Sequence, residues 1–188
     1  VYGSLVLTFL LSPVNMIVAA KCVMLCIWFG AAVSKLNRHF PYVVATMMAN
    51  NPLIRVKALR RMMFRRFPDD LQPSWAPRML AHTGTAIELL APPVLFFSHG
   101  GWPTTIAAFV MIVFHLNILL SFPMGVPLEW NVFMIFGVLW LFVAHAPVGL
   151  SGVTNPVPVA ALFAVVAGTV VVGNLFPCKV SFLPAMRY

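Results

Sequence analysis

The chain has 188 residues, of which 61% are hydrophobic and only 9% are charged, and its formal net charge is +8. Soluble domains carry about 25% charged residues, so this composition, with a mean hydropathy of +0.95, excludes a water-soluble fold and predicts an integral membrane protein. The excess of Lys and Arg is the one expected of a membrane protein, because cytoplasmic loops are rich in these residues. We therefore predict no nucleic-acid partner.

Long apolar runs divide the chain into membrane-length segments. The runs are continuous rather than alternating, which favours helices over a barrel. A partial span over residues 1–11 precedes a long helix over 14–34, and four further spans are predicted at 78–98, 104–122, 130–146 and 157–176. Short joins between them predict antiparallel hairpins. The predicted fold class is an all-α, multi-span transmembrane helical bundle with five full spans, or four plus a truncated one, and an interfacial amphipathic helix.

The domain organisation is simple. We expect one transmembrane domain over residues 1–188, and, because the chain begins inside an apolar stretch without Met, a fragment of a longer chain. The long connection at 36–77 carries most of the cations, whereas the joins HGGWP and PVGLSGVTNP contain no Lys or Arg. The positive-inside rule then predicts a multi-pass protein of the cell (plasma) membrane with this loop in the cytoplasm, together with PMGVPLE and the tail with Lys179 and Arg187.

Within that loop, residues 51–67 (NPLIRVKALRRMMFRRF) place apolar side chains against cations at near-helical spacing. This pattern is typical of a helix that lies at the membrane surface. Its predicted partners are the lipid bilayer and anionic inner-leaflet lipids. Each basic residue near an anionic surface contributes about 1 kcal/mol of attraction. The basic residues predicted to make this contact are Arg55, Lys57, Arg60, Arg61, Arg65 and Arg66. One interpretation is a lipid-binding or regulatory element, and the other is a helix that only rests on the inner leaflet.

Ionisable side chains inside spans are costly unless paired or hydrated, so each is a candidate functional residue. Lys21 lies in the outward half of the 14–34 helix, and we expect its side chain to extend to the outer headgroups. Lys35 lies about 21 Å further along the axis, at the inner end. Its position favours an anchor at the membrane surface, and the alternative is a base held where water is scarce.

A second set of polar residues lies deep in the next two spans. Glu88 falls near mid-span, just before Pro92 and Pro93, and a carboxylate at that depth needs a partner. His82 begins the same span, and His115 and Asn117 lie in the helix that follows. A single buried His is most often a satisfied structural group. Even so, Lys35, Glu88, His115 and Asn117 on three successive helices can meet in one polar pocket.

Other motifs carry less information. Cys22 and Cys26 are spaced as on one helix face, with Cys178 far away, so neither a metal site nor a disulfide framework is predicted. Most of the five tryptophans fall near predicted span ends, which is typical of an aromatic belt. The chain contains no phosphate-binding glycine loop, dinucleotide fingerprint or serine nucleophile elbow.

Three blocks in order, WFGAAVSKLNRHF, LAHTGTAIELLAPPVLFF and VFHLNILLSFPMG, resemble the transmembrane domain of the vitamin K-dependent gamma-carboxylase and its bacterial relatives, the horizontally transferred transmembrane domain family. The resemblance covers roughly residues 28–133. It implies that Lys35 corresponds to the base associated with vitamin K chemistry. By the same resemblance Glu88, with His82 ahead of it, corresponds to the acidic position of the second block, and His115 and Asn117 to the polar pair of the third.

This resemblance implies a catalytic set of Lys35, His115, Asn117, Glu88 and His82 acting on a quinone-like or lipid molecule. It does not extend to protein carboxylation, because nothing in the chain matches the carboxylase's large lumenal part. The closing KVSFLPAMRY, with KLNRHFPYVVATMMANNP, is similar to an uncharacterised actinobacterial family of transmembrane proteins of unknown function. Two hypotheses stand: a membrane-embedded enzyme with a lysine base, and a non-catalytic lipid-binding, transport-associated or scaffolding subunit.

Overall fold

The computed structural model describes residues 2–121 and 125–176. In these ranges the helices are α1 (Tyr2–Thr8), α2 (Pro13–Ser34), α3 (Phe40–Asn50), α4 (Lys57–Met62), α5 (Trp75–Phe97), α6 (Gly101–Ser121), α7 (Gly125–Gly137) and α8 (Pro156–Leu175). A π-helical segment, Val138–Ala144, continues α7, and a short 3-10 turn covers Leu150–Gly152. The predictions for Cys178, Lys179 and Arg187 concern residues outside the described part.

The helices confirm the all-α multi-span fold class. Four of those described, α2, α5, α6 and α8, are long and apolar enough to cross a membrane. The predicted span at 130–146 is a shorter apolar helix, Leu128–Ala144, that changes from α to π geometry. The predicted partial span near the beginning of the chain is α1. Pro92 and Pro93 do not interrupt α5.

Helix α2 forms the centre of the bundle. It is apolar on all sides, as expected for a helix with neighbours all around it, and it contacts α1, α5, α8 and the π-helical segment. Helix α6 packs between α5 and α7, and α3 packs against α5 and α6. The largest apolar side chains of the core, including Met24, Trp28, Met111 and Phe142, are buried between these helices.

The connection between α2 and α5 is more structured than the sequence predicts, and the helix predicted at 51–67 is wrong in extent. Only Lys57–Met62 is α-helical, while α3 is a separate helix. Arg65 and Arg66 lie on strand β1 (Phe64–Arg66), which pairs antiparallel with β2 (Asp70–Pro73). The Asn51 side chain accepts a hydrogen bond from the Leu53 amide, which forms a turn where the prediction begins a helix.

Candidate functional site

Lys35 caps the C-terminal end of α2, and its side chain turns into the protein. Nζ lies 2.6 Å from both carboxylate oxygens of Glu88 on α5. Glu88 is buried, whereas the Lys35 side chain keeps 20% of its surface exposed. Glu88 shares the buried face of α5 with Ala81 and Thr85, at helical spacing. The mid-span carboxylate therefore has the partner that its depth requires.

Two aromatic rings flank the same ammonium group. Nζ of Lys35 lies 5.7 Å from the ring centroid of Phe40 and 5.5 Å from that of Phe114. Rings at such distances attract a cation through their quadrupole. Phe40 begins α3 and Phe114 lies on α6, so side chains of three helices besides α2 contact Lys35.

Lys35 lies at the junction of two cavities. One, of about 490 Å³, lies between α3, α5 and α6 and is lined almost entirely by apolar side chains such as Val44, Met47, Ile87 and Val113. We call it the apolar cavity. The other, of about 410 Å³, is lined by Arg38, Arg78, His82, Asn37, Thr85 and Ala81, and we call it the polar cavity. Lys35 and Phe40 line both.

Asn117 also lines the apolar cavity, but its amide belongs to a separate hydrogen-bond network. Nδ2 of the buried Asn51 lies 3.3 Å from Oδ1 of Asn117 and 2.8 Å from Oγ of Ser121. The Ser121 hydroxyl in turn donates to the Asn117 backbone carbonyl at 2.7 Å. This network fixes the end of α3 to α6 and so holds the cavity walls together.

His115 does not join the ion pair. It lies two residues before Asn117, and two residues of an α-helix are roughly 200° apart around the axis, so the two side chains point to opposite sides of α6. The Trp28 indole donates to Nε2 of His115 at 3.1 Å. Because Nε2 accepts, Nδ1 carries the proton, and it donates to Oδ1 of Asn131 at 2.8 Å.

The Trp28–His115–Asn131 network lies in the core of the bundle. Trp28 is 1% exposed there, so the aromatic belt predicted for most of the five tryptophans does not include it. His82, by contrast, is exposed and lines the polar cavity. Of the predicted site residues, the structure thus places Lys35 and Asn117 in the lining of the apolar cavity, Glu88 against Lys35, His82 in the lining of the polar cavity, and His115 in the core.

Lys21 does not extend to the headgroups as predicted. It is 1% exposed, and its ammonium donates to the backbone carbonyls of His145 at 2.9 Å and Val148 at 2.7 Å. Nζ also lies 5.6 Å from the centroid of the Phe142 ring. The His145 carbonyl also accepts a hydrogen bond from the Val148 amide at 3.1 Å, and Lys21 adds a charged donor from α2 to both carbonyls.

Sequence reasoning missed Trp28, Asn51, Phe114 and Asn131 as partners of the candidate residues. Asn131 had a usable signal, since it is an amide in an otherwise apolar run, and a buried amide needs hydrogen-bond partners. Among the described residues, no group of three or more His, Cys, Asp or Glu side chains is arranged to hold a metal ion.

The fold and the site together define a multi-pass membrane protein that holds an ion pair beside an apolar cavity. The family model described as transmembrane protein of unknown function (DUF3556) matches residues 1–188, and the chain belongs to this family. The part of the resemblance that pointed to a transmembrane family of unknown function is confirmed. Comparison with curated proteins and with solved structures gave no match, and the comparisons give no support to the carboxylase resemblance.

Proposed function

We propose that this protein binds a quinone-like or lipid amphiphile in the apolar cavity and exchanges a proton with its polar head through Lys35 and Glu88. The observation that carries the proposal is the position of Lys35, which lines both the apolar and the polar cavity while its ammonium contacts the buried Glu88 carboxylate. Ligand sites combine an apolar lining with a few polar groups and measure about 300–1,000 Å³. The apolar cavity lies in this range.

The proton chemistry follows from the contacts. A bound amphiphile shields the pair from water, and a neutral pair, amine and carboxylic acid, is then less costly to desolvate than two ions. Transfer of one proton from Nζ of Lys35 to Glu88 leaves the amine free to accept a proton from an acidic hydroxyl of the ligand. The products are a Lys35 ammonium, a protonated Glu88 and an anionic ligand head, which the ammonium neutralises.

The neighbouring residues have positioning roles in this proposal. Phe40 and Phe114 hold the ammonium between their rings, and Asn117 with Asn51 fixes the wall formed by α3. His82 lies in the polar cavity, where it contributes to a path for protons between Lys35 and water. His115 supports the site only indirectly, by setting the packing of α6 against α2.

The test uses an alkyl hydroxynaphthoquinone, whose visible absorption changes when its hydroxyl group loses its proton. With the full chain in detergent micelles, we expect the bound compound to show the anionic spectrum. Lys35→Met should retain binding and lose that spectrum. Lys35→Arg keeps the charge that neutralises the anion but not an amine that can relay the proton, because a guanidinium stays protonated in proteins, so the anionic spectrum should develop more slowly after mixing than in wild type. An unchanged rate in Lys35→Arg would show that Lys35 is not the base.

Occupancy of the cavity needs a control of its own. Val113 lines the apolar cavity and Val132 does not, although each is about half exposed on a membrane helix. Val113→Trp should block binding of the compound, and Val132→Trp should leave it intact. Equal binding by both variants would place the ligand elsewhere.

A second candidate function is a non-catalytic lipid-binding, transport-associated or scaffolding subunit. The contact of the Lys35 ammonium with both Glu88 oxygens favours this second function, because the same contact can serve only to fix the end of α2 to α5. In that case Lys35→Arg is silent in every assay. Loss of cations from the 55–66 segment then weakens lipid association, which vesicle flotation measures.

The sidedness of the chain is part of the proposal. We place the protein in the plasma membrane with the connection between α2 and α5 in the cytoplasm, on the strength of its cations. An introduced cysteine reports this directly. Asp69→Cys should resist an impermeant maleimide added to intact cells, and Ser151→Cys, in the opposite loop, should react.

A further inference from the structure

A third cavity, of about 640 Å³, lies in the connection between α2 and α5. Helix α3 separates it from the Lys35 site. One face of α3 presents Val43 and Met47 to the apolar cavity, and another presents Tyr42, Thr46 and Asn50 to this one. We call it the basic cavity, because three cations line it and no carboxylate does: Lys57, Arg60 and Arg61.

These three cations lie on one face of α4. Their spacing, i, i+3 and i+4, makes their side chains neighbours on the helix surface, and like charges in this arrangement repel one another. No acidic side chain lines the cavity to offset the repulsion. A bound anion relieves it, and α4 with its three cations is therefore shaped for a negatively charged group.

Two of the side chains are held in place before any ligand arrives. Nε of Arg60 donates to the Ile54 carbonyl at 2.6 Å. The Arg61 guanidinium carbon lies 5.9 Å from the centroid of the Phe67 ring, a distance at which a cation and an aromatic face attract. Side chains that are already ordered lose less conformational entropy when an anion binds.

Three large apolar side chains, Phe64, Phe67 and Leu71, also line the basic cavity. A free phosphate ion gains nothing from these side chains, whereas the glycerol backbone and first methylene groups of a lipid can pack on them. The cavity is built from α3, α4 and the β1–β2 hairpin, which together connect the membrane-length helices α2 and α5.

We propose that the basic cavity binds the phosphate headgroup of one anionic phospholipid, with Lys57 and Arg61 contacting the phosphate and Phe64, Phe67 and Leu71 contacting the start of the acyl chains. This narrows the lipid contact proposed for the whole basic segment to one site. Arg55, Arg65 and Arg66 do not line the cavity. The site is independent of the chemistry proposed for Lys35.

The test measures binding of dilauroyl phosphatidic acid to the full chain in detergent micelles by native mass spectrometry. Wild type should retain one lipid. The double variant Lys57→Gln/Arg61→Gln should bind about 25-fold more weakly, which is roughly 1 kcal/mol for each cation. The matched control Arg65→Gln/Arg66→Gln removes the same charge from equally exposed positions that do not line the cavity, and it should lose less than about threefold, because charges away from the bound phosphate are screened by water and salt. Arg60 is left intact because it ties α4 to Ile54.

Each alternative has its own signature. Equal losses in the two double variants would overturn the site and leave only a diffuse attraction of the basic segment for anionic lipid. Equal retention of phosphatidylcholine would show that the apolar part binds without the cations. Displacement of the lipid by inorganic phosphate at equal concentration would identify a free-phosphate site instead. Size-exclusion profiles and thermal unfolding confirm that each variant is folded.

Discussion

Nζ of Lys35 lies 2.6 Å from each carboxylate oxygen of Glu88, although the two residues are 53 positions apart in the chain. The pair connects the C-terminal end of α2 to the middle of α5 and leaves neither charge unneutralised. Lys35 also lines both the apolar and the polar cavity, so the same contact contributes to stability and to the proposed chemistry.

Removing both members of the pair should destabilise the fold by less than the sum of the two single losses. Glu88→Gln leaves the Lys35 ammonium without its anion, and we expect a loss of about 1–3 kcal/mol, below the 3–5 kcal/mol typical of fully buried pairs because Lys35 is partly exposed. Lys35→Met should cost a similar amount. In the double variant the cost should fall at least about 1 kcal/mol short of the sum. Reversible unfolding in detergent measures the cycle, and strictly additive losses would show that the pair contributes no coupling.

The His115 network should matter for stability and not for ligand binding. His115→Phe leaves the Trp28 indole and the Asn131 side-chain carbonyl without the contacts that His115 gives them, at a cost of about 2–4 kcal/mol in a buried site. Thermal unfolding should show this loss. The folded variant should bind the alkyl hydroxynaphthoquinone as wild type does. A variant of normal stability that cannot bind the compound would instead assign His115 to the site.

Lys21 should hold the end of the π-helical segment in place. Lys21→Met preserves the apolar stem but leaves the carbonyls of His145 and Val148 without their charged donor, and we expect a loss of about 2–4 kcal/mol. Hydrogen exchange of residues 145–153 should accelerate in the same variant, while α5 and α6 keep their protection. Uniform acceleration along the whole chain would mean that Lys21 supports the global fold rather than this one loop.

The contact between α2 and α8 depends on Gly30. A Cβ added there would lie 2.9 Å from Cγ1 of Val170, so Gly30→Ala should destabilise the bundle by about 1–2 kcal/mol through overpacking. Val170→Ala in the same chain should restore most of that loss. Gly168→Ala on α8 is the control, since nothing lies within 4 Å of its added Cβ. It should be neutral or slightly stabilising, because Ala favours a helix more than Gly does.

The polar interior shows where prediction from the sequence succeeds and where it stops. The need of Glu88 for a partner followed from its depth in an apolar run, and Lys35 was among the candidates. His115 was grouped with Asn117 although their spacing already places them on opposite sides of a helix. Lys21 was expected to extend to the membrane surface, but it is buried because α2 packs against α1, α5, α8 and the π-helical segment.

By itself, the sequence determined the membrane class, the helical architecture and the approximate spans, because each of these depends on the cost of exposing apolar surface or unpaired backbone along a local stretch of chain. Only the tertiary structure decided which polar groups meet. Helix rotation and packing decide that Lys35 pairs with Glu88 and that Lys21 donates to the carbonyls of His145 and Val148. They also decide that one cavity is lined by Lys57, Arg60 and Arg61. Rotation and packing are set by contacts between residues distant in the chain, which local periodicity does not encode.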